Sequence, residues 1–284
     1  GIADTYAVLN STPKLASKRY SYQVKEAFSL SEETIAEYRD REGDIQVKLR
    51  DGKFIDLSFK DTDVQSRLNL QMPNRPHLKY IQTMLLPTLL VPYEDINHIL
   101  VLGIGGGTLA KYYTEYYSNK RKTMVDLRPI LFDVAQEHFM YVPDENTELV
   151  PGDASVFLAK ARTKKNIYDI INIDIFIEGP SDLLLNHFFW SNTASVLSKK
   201  GVCSSNIWKG DYLDKYHKIV EHHKSVFNTV FEVLNTETEQ VALCGSHLPY
   251  ELLFNSFSDI KAVELTGLTG INFKQHINNV RRLK

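Results

Sequence analysis

Polar and apolar residues alternate along the first third of the chain. Ile45, Val47 and Leu49 are separated by polar or charged positions, and Ile55, Leu57 and Phe59 follow the same rhythm. A period of two turns one side-chain face inward, so both runs predict half-buried strands. Asp51 and Gly52 lie between them. That pair tolerates the positive φ of a tight primed turn, and a hairpin is expected. A third short strand is expected over Asp63–Ser66. Leu78, Ile81, Met84, Leu85 and Leu89 then share one stripe at helical spacing, which predicts a single helix from Pro76 to about Val91. Further upstream, a short helix is expected around Glu32–Tyr38.

The rhythm changes near residue 95. Ile99, Leu100, Val101 and Leu102 form a continuous apolar run, as parallel strands covered on both faces do. Strands are expected over Thr123–Asp126, Glu148–Val150, Tyr168–Asp174, Val202–Ile207, Thr229–Leu234 and Gln240–Cys244. Helices are expected over Thr108–Tyr117, Pro129–His138, Ser155–Ala161, Ser181–Ser198 and Asp211–Val226. This alternation predicts an α/β domain over residues 96–284 with a mostly parallel sheet and helices on both faces. A small β-rich domain over residues 1–95, closed by its linking helix, is expected to precede it.

Composition narrows the class. Thirty-three basic and 35 acidic residues give a net charge of -2, so nothing draws the whole molecule to nucleic acid or an anionic membrane. The basic run from Lys160 to Lys165 reads as a solvated helix end. Two cysteines, Cys203 and Cys244, are too few for a disulfide framework, and a reduced, cytoplasmic setting is expected. No leader pattern and no apolar run of ~20 residues points to secretion or a membrane span. No CxxC or HExxH spacing supports a metal site. The Tyr112, Tyr113, Tyr116 and Tyr117 group is expected to mix core and surface contacts. Trp208 reads as a packing residue, and His222 and His223 read as a solvated helix face.

Four places carry candidate chemistry, each just beyond a predicted strand. Gly103, Gly105, Gly106 and Gly107 lie between a strand and a helix, where glycine lets the backbone approach a ligand and the helix start offers free N–H groups. Asp126 follows the next strand about 20 residues on, where a carboxylate can accept both ribose hydroxyls. Asp153, followed by Ala154, can accept the amino group of an adenine or cap the helix it precedes. Asp174 ends the most apolar strand. Ligands of open α/β sheets bind outside the carboxyl ends of the strands, so the four should converge on one crevice. A dinucleotide reading fits less well, because Thr108 stands where GxGxxG needs its third glycine. The crevice is therefore expected to hold an adenosyl nucleoside of the S-adenosylmethionine type.

On these residues, together with Gln65 and Tyr80, the stretch from about Gly43 to Gly245 resembles the spermidine/spermine synthase family within the methyltransferase-like Rossmann group. The resemblance implies ribose binding by Asp126, adenine binding by Asp153 and a contribution of Gln65 to the donor site. It further implies deprotonation of an attacking amine by Asp174 with help from Tyr80, and a homodimer. Departures accompany it. The family's second Asp, three residues after the first, is Ile177 here, with Glu178 beside it as a candidate stand-in. The acidic residue of the glycine loop is Gly105. The Gln expected after the Tyr is Ile81, with Gln82 adjacent. A second Tyr expected near Thr236 is absent, and Arg128 replaces a carboxylate near the ribose.

Three functions stay open on the sequence. The first is transfer from decarboxylated S-adenosylmethionine to a small-molecule amine such as a polyamine, without a metal. The second is methyl transfer from S-adenosylmethionine, favoured by the lost carboxylates. The third is a non-catalytic nucleoside-binding protein.

Overall fold

The computed structural model describes residues 32–59, 63–175, 181–255 and 259–284. Four antiparallel strands come first: β1 (Glu32–Asp40), β2 (Gly43–Arg50), β3 (Phe54–Phe59) and β4 (Val64–Asn69), in that order across the sheet. Asp51 and Gly52 join β2 to β3 with φ of 51° and 60°, and Lys53 N donates to Arg50 O at 3.0 Å. This is the primed geometry that the Asp-Gly pair predicts. Residues 32–38 form a strand rather than the expected helix. Glu32–Asp40 pairs with β2 across a bulge between Thr34 and Ala36, and tertiary pairing overrides the helical preference of its glutamates.

The linking helix is broken. Helix α1 (Lys79–Met84) and α2 (Pro87–Leu90) replace the continuous helix expected to Val91. Pro87 cannot donate its nitrogen to the turn before it. Asn172 Nδ2 donates to the freed Met84 O at 2.9 Å, so the break is satisfied from the neighbouring sheet.

The second sheet is built from β5 (His98–Leu102), α3 (Thr108–Tyr116), β6 (Arg121–Asp126), α4 (Ile130–His138), β7 (Thr147–Pro151), α5 (Ala154–Thr163), β8 (Tyr168–Ile173), α6 (His187–Val196), β9 (Leu197–Trp208), α7 (Leu213–Val226), β10 (Thr229–Leu234) and β11 (Gln240–Ser246). The C-terminal part adds α8 (Tyr250–Asn255), α9 (Asp259–Thr269), α10 (Phe273–Asn278) and β12 (Val280–Arg282). Strand order is β12-β10-β11-β9-β8-β5-β6-β7. The five strands from β9 to β7 run parallel, and β11, β10 and β12 pair antiparallel at the other edge. This confirms a mostly parallel sheet with helices, preceded by an antiparallel β-sheet. Residues 181–198, expected as one helix, divide into a 3₁₀ turn at Asp182–Leu185 and α6, because Asn186 caps α6 by accepting from Phe188 N.

The parallel strands are apolar on both faces because each faces a separate core. Ile99 and Val101 of β5 join one core, and Leu100 and Leu102 the other. The first core continues without interruption into Ile45, Val47, Leu49 and Leu57 of the small sheet. Truncating such a side chain to Ala removes about 2–5 kcal/mol. His223, read as solvated from the sequence, is fully buried with its ring 3.9 Å from that of Trp190. His222 gives its Nε2 to Leu185 O instead. Tyr112, Tyr113 and Tyr117 are buried and Tyr116 is half-buried, the mixture expected. Among the described residues, no helix is long and apolar enough to cross a membrane.

The chain reverses its direction of progress at β5. β6 and β7 are laid down on one side of β5, and β8 and β9 on the other. A crevice therefore opens beyond the carboxyl ends of β5 and β8, where adjacent connections diverge.

Candidate active site

The crevice is a cavity of about 520 Å³, within the range of small-molecule sites. The ladder of the sheet runs up to its wall. Gly103 N donates to Val125 O, Asp174 N to Leu102 O and Gly152 N to Asp126 O, each at 2.8 Å. Gly103 has φ of +91°, and a Cβ on it would lie 2.2 Å from Asp174 O. Only glycine lets β5 turn off the sheet while the end of β8 passes directly beside it.

Gly103, Gly105, Asp126, Asp153, Ala154, Asp174, Gln65 and Tyr80 all line this cavity. Gly106 and Gly107 face elsewhere. A Cβ at Gly106 would meet Ser66 and Phe139, and one at Gly107 would meet Ala135 and Tyr141. Their contribution is close packing of the loop, with Gly106 N donating to Ser66 Oγ at 2.9 Å. Glu178 lies outside the described residues. Gln82 points away from the cavity, is 2% exposed, and donates through Nε2 to Pro76 O at 2.7 Å. Trp208 is not among the cavity residues.

Three carboxylates occupy three environments. Asp126 accepts from Ile104 N at 2.7 Å through Oδ2 and from Arg128 N at 2.8 Å through Oδ1. Burial raises its pKa above the ordinary value, while the backbone N–H groups of Arg128 and Ile104 oppose the rise. Asp153 is both helix cap and cavity wall. Its Oδ1 accepts from Ser155 N, Ser155 Oγ and Val156 N at 2.8, 2.6 and 2.9 Å, and the Ser155 hydroxyl leads the effects that lower its pKa. All three bonds fall on Oδ1, which leaves Oδ2 as an acceptor toward the cavity.

Asp174 is the third. Burial pushes its pKa up to about 6, against hydrogen bonds from Asn206 and Tyr80, while the Asp126 charge raises it further. Asn206 Nδ2 donates to Oδ1 at 2.9 Å. The Tyr80 hydroxyl donates to Gln65 O at 2.7 Å and stands 3.4 Å from Asp174 Oδ2. Burial raises the phenol's pKa well above its ordinary value, with the Asp174 charge adding to it. The site thus pairs a carboxyl group poised near neutrality with a protonated phenol.

Arg128 has a role that its sequence position did not reveal. Its guanidinium donates to Asp40 Oδ2 and Oδ1 at 2.9 and 2.8 Å, and to Gly43 O at 2.8 Å. A bidentate pair 88 residues apart ties the β1–β2 turn to the loop after β6, and Arg39, Gly43 and Asp44 of that hairpin line the cavity. Asn206 was also missed. Its one sequence signal is a polar residue near the end of a buried strand.

The fold and the cavity define a methyltransferase-like Rossmann protein whose strand ends converge on a nucleoside-sized crevice. No protein-family model matches the chain. It is 28% identical over 237 residues to a polyamine aminopropyltransferase of Chromobacterium violaceum, covering 82% of this chain and 87% of that enzyme. It is 30% identical over 179 residues to one of Neisseria meningitidis serogroup B, covering 62% of this chain and 66% of that enzyme. A match to one from Vibrio vulnificus, 28% over 158 residues, spans 55% of this chain and only half of the relative's length. An eEF1A lysine and N-terminal methyltransferase of Xenopus laevis is 25% identical over 155 residues, 51% of this chain and 22% of that protein. Among solved structures, a probable spermidine synthase from Corynebacterium glutamicum aligns with TM-score 0.67 at 18% identity, over 87% of this chain and 89% of that one. Human methyltransferase-like protein 13 in complex with SAH aligns with TM-score 0.59 at 17% identity, over 70% and 93%. The chain is thus similar in sequence to polyamine aminopropyltransferases and shares the fold of spermidine synthases and methyltransferases.

Proposed function

We propose that this protein is a transferase that moves an aminopropyl group from decarboxylated S-adenosylmethionine to an amine acceptor such as a polyamine. The observation that carries the reading is Tyr80 meeting Asp174 at the end of β8, in the cavity that also holds Asp126 and Asp153. The named activity of the relatives supports it.

The chemistry asks for what this pair offers. An amine nitrogen attacks the propyl carbon bonded to sulfur only when it is uncharged, and polyamines are ammonium ions near pH 7. Asp174 accepts one proton from the ammonium, which frees the nitrogen lone pair to form the C–N bond. The C–S bond breaks with its electron pair passing to sulfur, which leaves neutral methylthioadenosine. A carboxyl group with pKa about 6 is matched to that exchange near neutrality. Tyr80, kept protonated, holds the acceptor side through its hydroxyl. Asp126 would take the ribose hydroxyls and Asp153 Oδ2 the adenine amine. Fixing both reactants in one cavity supplies the remaining acceleration through proximity.

Methyl transfer from intact S-adenosylmethionine is the second reading. It is favoured by Gly105 standing where a loop carboxylate would hold the donor's amine, and by the lysine methyltransferase relative. Parallel calorimetric titrations with S-adenosylmethionine, its decarboxylated form and methylthioadenosine, followed by a polyamine panel, separate the readings. Preference for the decarboxylated donor with release of methylthioadenosine is expected. Preference for the intact donor moves the function to methyl transfer, nucleoside binding without turnover makes it a binding protein, and binding of none overturns the proposal.

A further inference from the structure

A line of hydrogen bonds connects the β10–β11 turn to Asp174. Asn235 Nδ2 donates to Thr238 Oγ1 at 2.8 Å, and Thr238 Oγ1 donates to Gln240 Oε1 at 3.2 Å. Gln240 Nε2 donates to Asn206 Oδ1 at 3.3 Å, and Asn206 Nδ2 donates to Asp174 Oδ1 at 2.9 Å. Sheet register makes this possible. Gln240 lies opposite Trp208 and Ala242 opposite Asn206, so Gln240 and Asn206 are diagonal neighbours on one face. Ser205 pairs with Ile173 on the other side, which brings the next residue, Asn206, beside Asp174. Every donor points the same way. Turning over the Gln240 amide would set oxygen against Asn206 Oδ1, and turning over Asn206 would set oxygen against the Asp174 carboxylate, so Gln240 supports the end of Asn206 that faces the carboxyl group.

We propose that Asn206 and Gln240 are positioning residues that hold the Asp174 carboxyl group in one orientation and couple it to the β10–β11 turn. Oδ1 is taken by Asn206. The Tyr80 proton is directed to Gln65 O, so Oδ2 keeps unspent acceptor capacity and is the oxygen presented to the incoming amine. The titratable groups that act on Asp174 are Tyr80 from α1 and Asp126 from β6, while β9 and β11 contribute the two uncharged amides. Donation from Asn206 favours the ionised carboxylate. Its loss therefore moves the titration upward.

This inference rests on Asp174 being the proton acceptor, so the test reads the carboxyl group directly. The full chain is labelled with carbon-13 at aspartate Cγ, and the Asp174 resonance is identified by its disappearance in D174N and titrated in N206L and Q240M. N206L is expected to raise the midpoint by about one to two pH units, and Q240M to raise it by less. Both should keep wild-type affinity for methylthioadenosine, and kcat should fall about tenfold or more near neutral pH. An unmoved midpoint in a nucleoside-binding N206L overturns the proposal. Should N206L not fold, Q240M decides alone, because Gln240 acts only through Asn206, and an unmoved midpoint there overturns the coupling. Absence of transfer by the wild type with every donor would refute the proton-acceptor reading while leaving the titration shift in place.

Discussion

Replacing Asp174 with Asn is expected to stabilise the protein at neutral pH and abolish transfer. The carboxyl group of half-buried Asp174 has its pKa raised to about 6 against an ordinary 3.8. A carboxyl group whose folded pKa is raised favours folding while it is protonated. That contribution is complete below the unfolded value and is lost as pH rises through the folded one. Two units of displacement, at roughly 1.4 kcal/mol each, amount to about 3 kcal/mol lost between about pH 4 and pH 6 to 7. Solvent screening of the half-buried group reduces the figure, so 2–3 kcal/mol is expected, on the order of what such linkage gives. Asn is nearly isosteric, still accepts from Asn206 Nδ2, and carries no ionisation penalty. Urea unfolding of wild type and D174N at about pH 4.5 and about pH 8 measures the gap. D174N should be the more stable at pH 8, and the difference should shrink to under ~1 kcal/mol at pH 4.5. A gap that does not vary with pH, or a less stable D174N at pH 8, would refute the argument. Retained methylthioadenosine binding separates lost chemistry from lost structure.

Three further substitutions test other parts of the site. Gly103→Ala places a Cβ 2.2 Å from Asp174 O at φ +91°, so a loss of about 3 kcal/mol or more in unfolding free energy is expected, with nucleoside binding abolished in calorimetry. Arg128→Met removes the bidentate partner of Asp40, which keeps only its bond from Glu42 N; about 1–3 kcal/mol of destabilisation is expected, and hydrogen exchange should rise first in β1 and β2. Tyr80→Phe removes the hydroxyl beside Asp174; turnover should drop about 10²-fold while donor affinity in calorimetry changes little.

Much of the wall of this cavity was legible in the sequence for a physical reason. The turn after β5 must be glycine because a neighbouring strand leaves no room for a Cβ. The acids after β6, β7 and β8 sit where a strand leaves the sheet, and both features are local in the chain. The hairpin at Asp51 and Gly52 was legible on the same ground, since positive φ restricts which residues can stand there. Other features depend on partners far apart in sequence. Residues 32–40 become a strand only because β2 is there to pair with them. The helix over 79–90 breaks at Pro87 with Asn172 satisfying its free carbonyl. Asp153 reads as ligand, cap or both in the sequence, and the structure puts all its cap bonds on one oxygen. Gly105 and Gly106 look alike in sequence, yet Gly105 lines the cavity and Gly106 packs against Phe139.

The sequence by itself determined an α/β sheet, its order of strands and helices from β5 to β11, and a row of carboxylates at successive strand ends, because periodicity and strand–turn–helix chemistry are properties of neighbours. Only the tertiary structure decided that Arg128 clamps Asp40, that Gln82 turns away, and that Asn206 and Gln240 reach Asp174. The Arg128–Asp40, Gln240–Asn206 and Asn206–Asp174 contacts join residues 88, 34 and 32 positions apart, and such pairs are chosen by the packing of whole sheets, which no local pattern of side chains encodes.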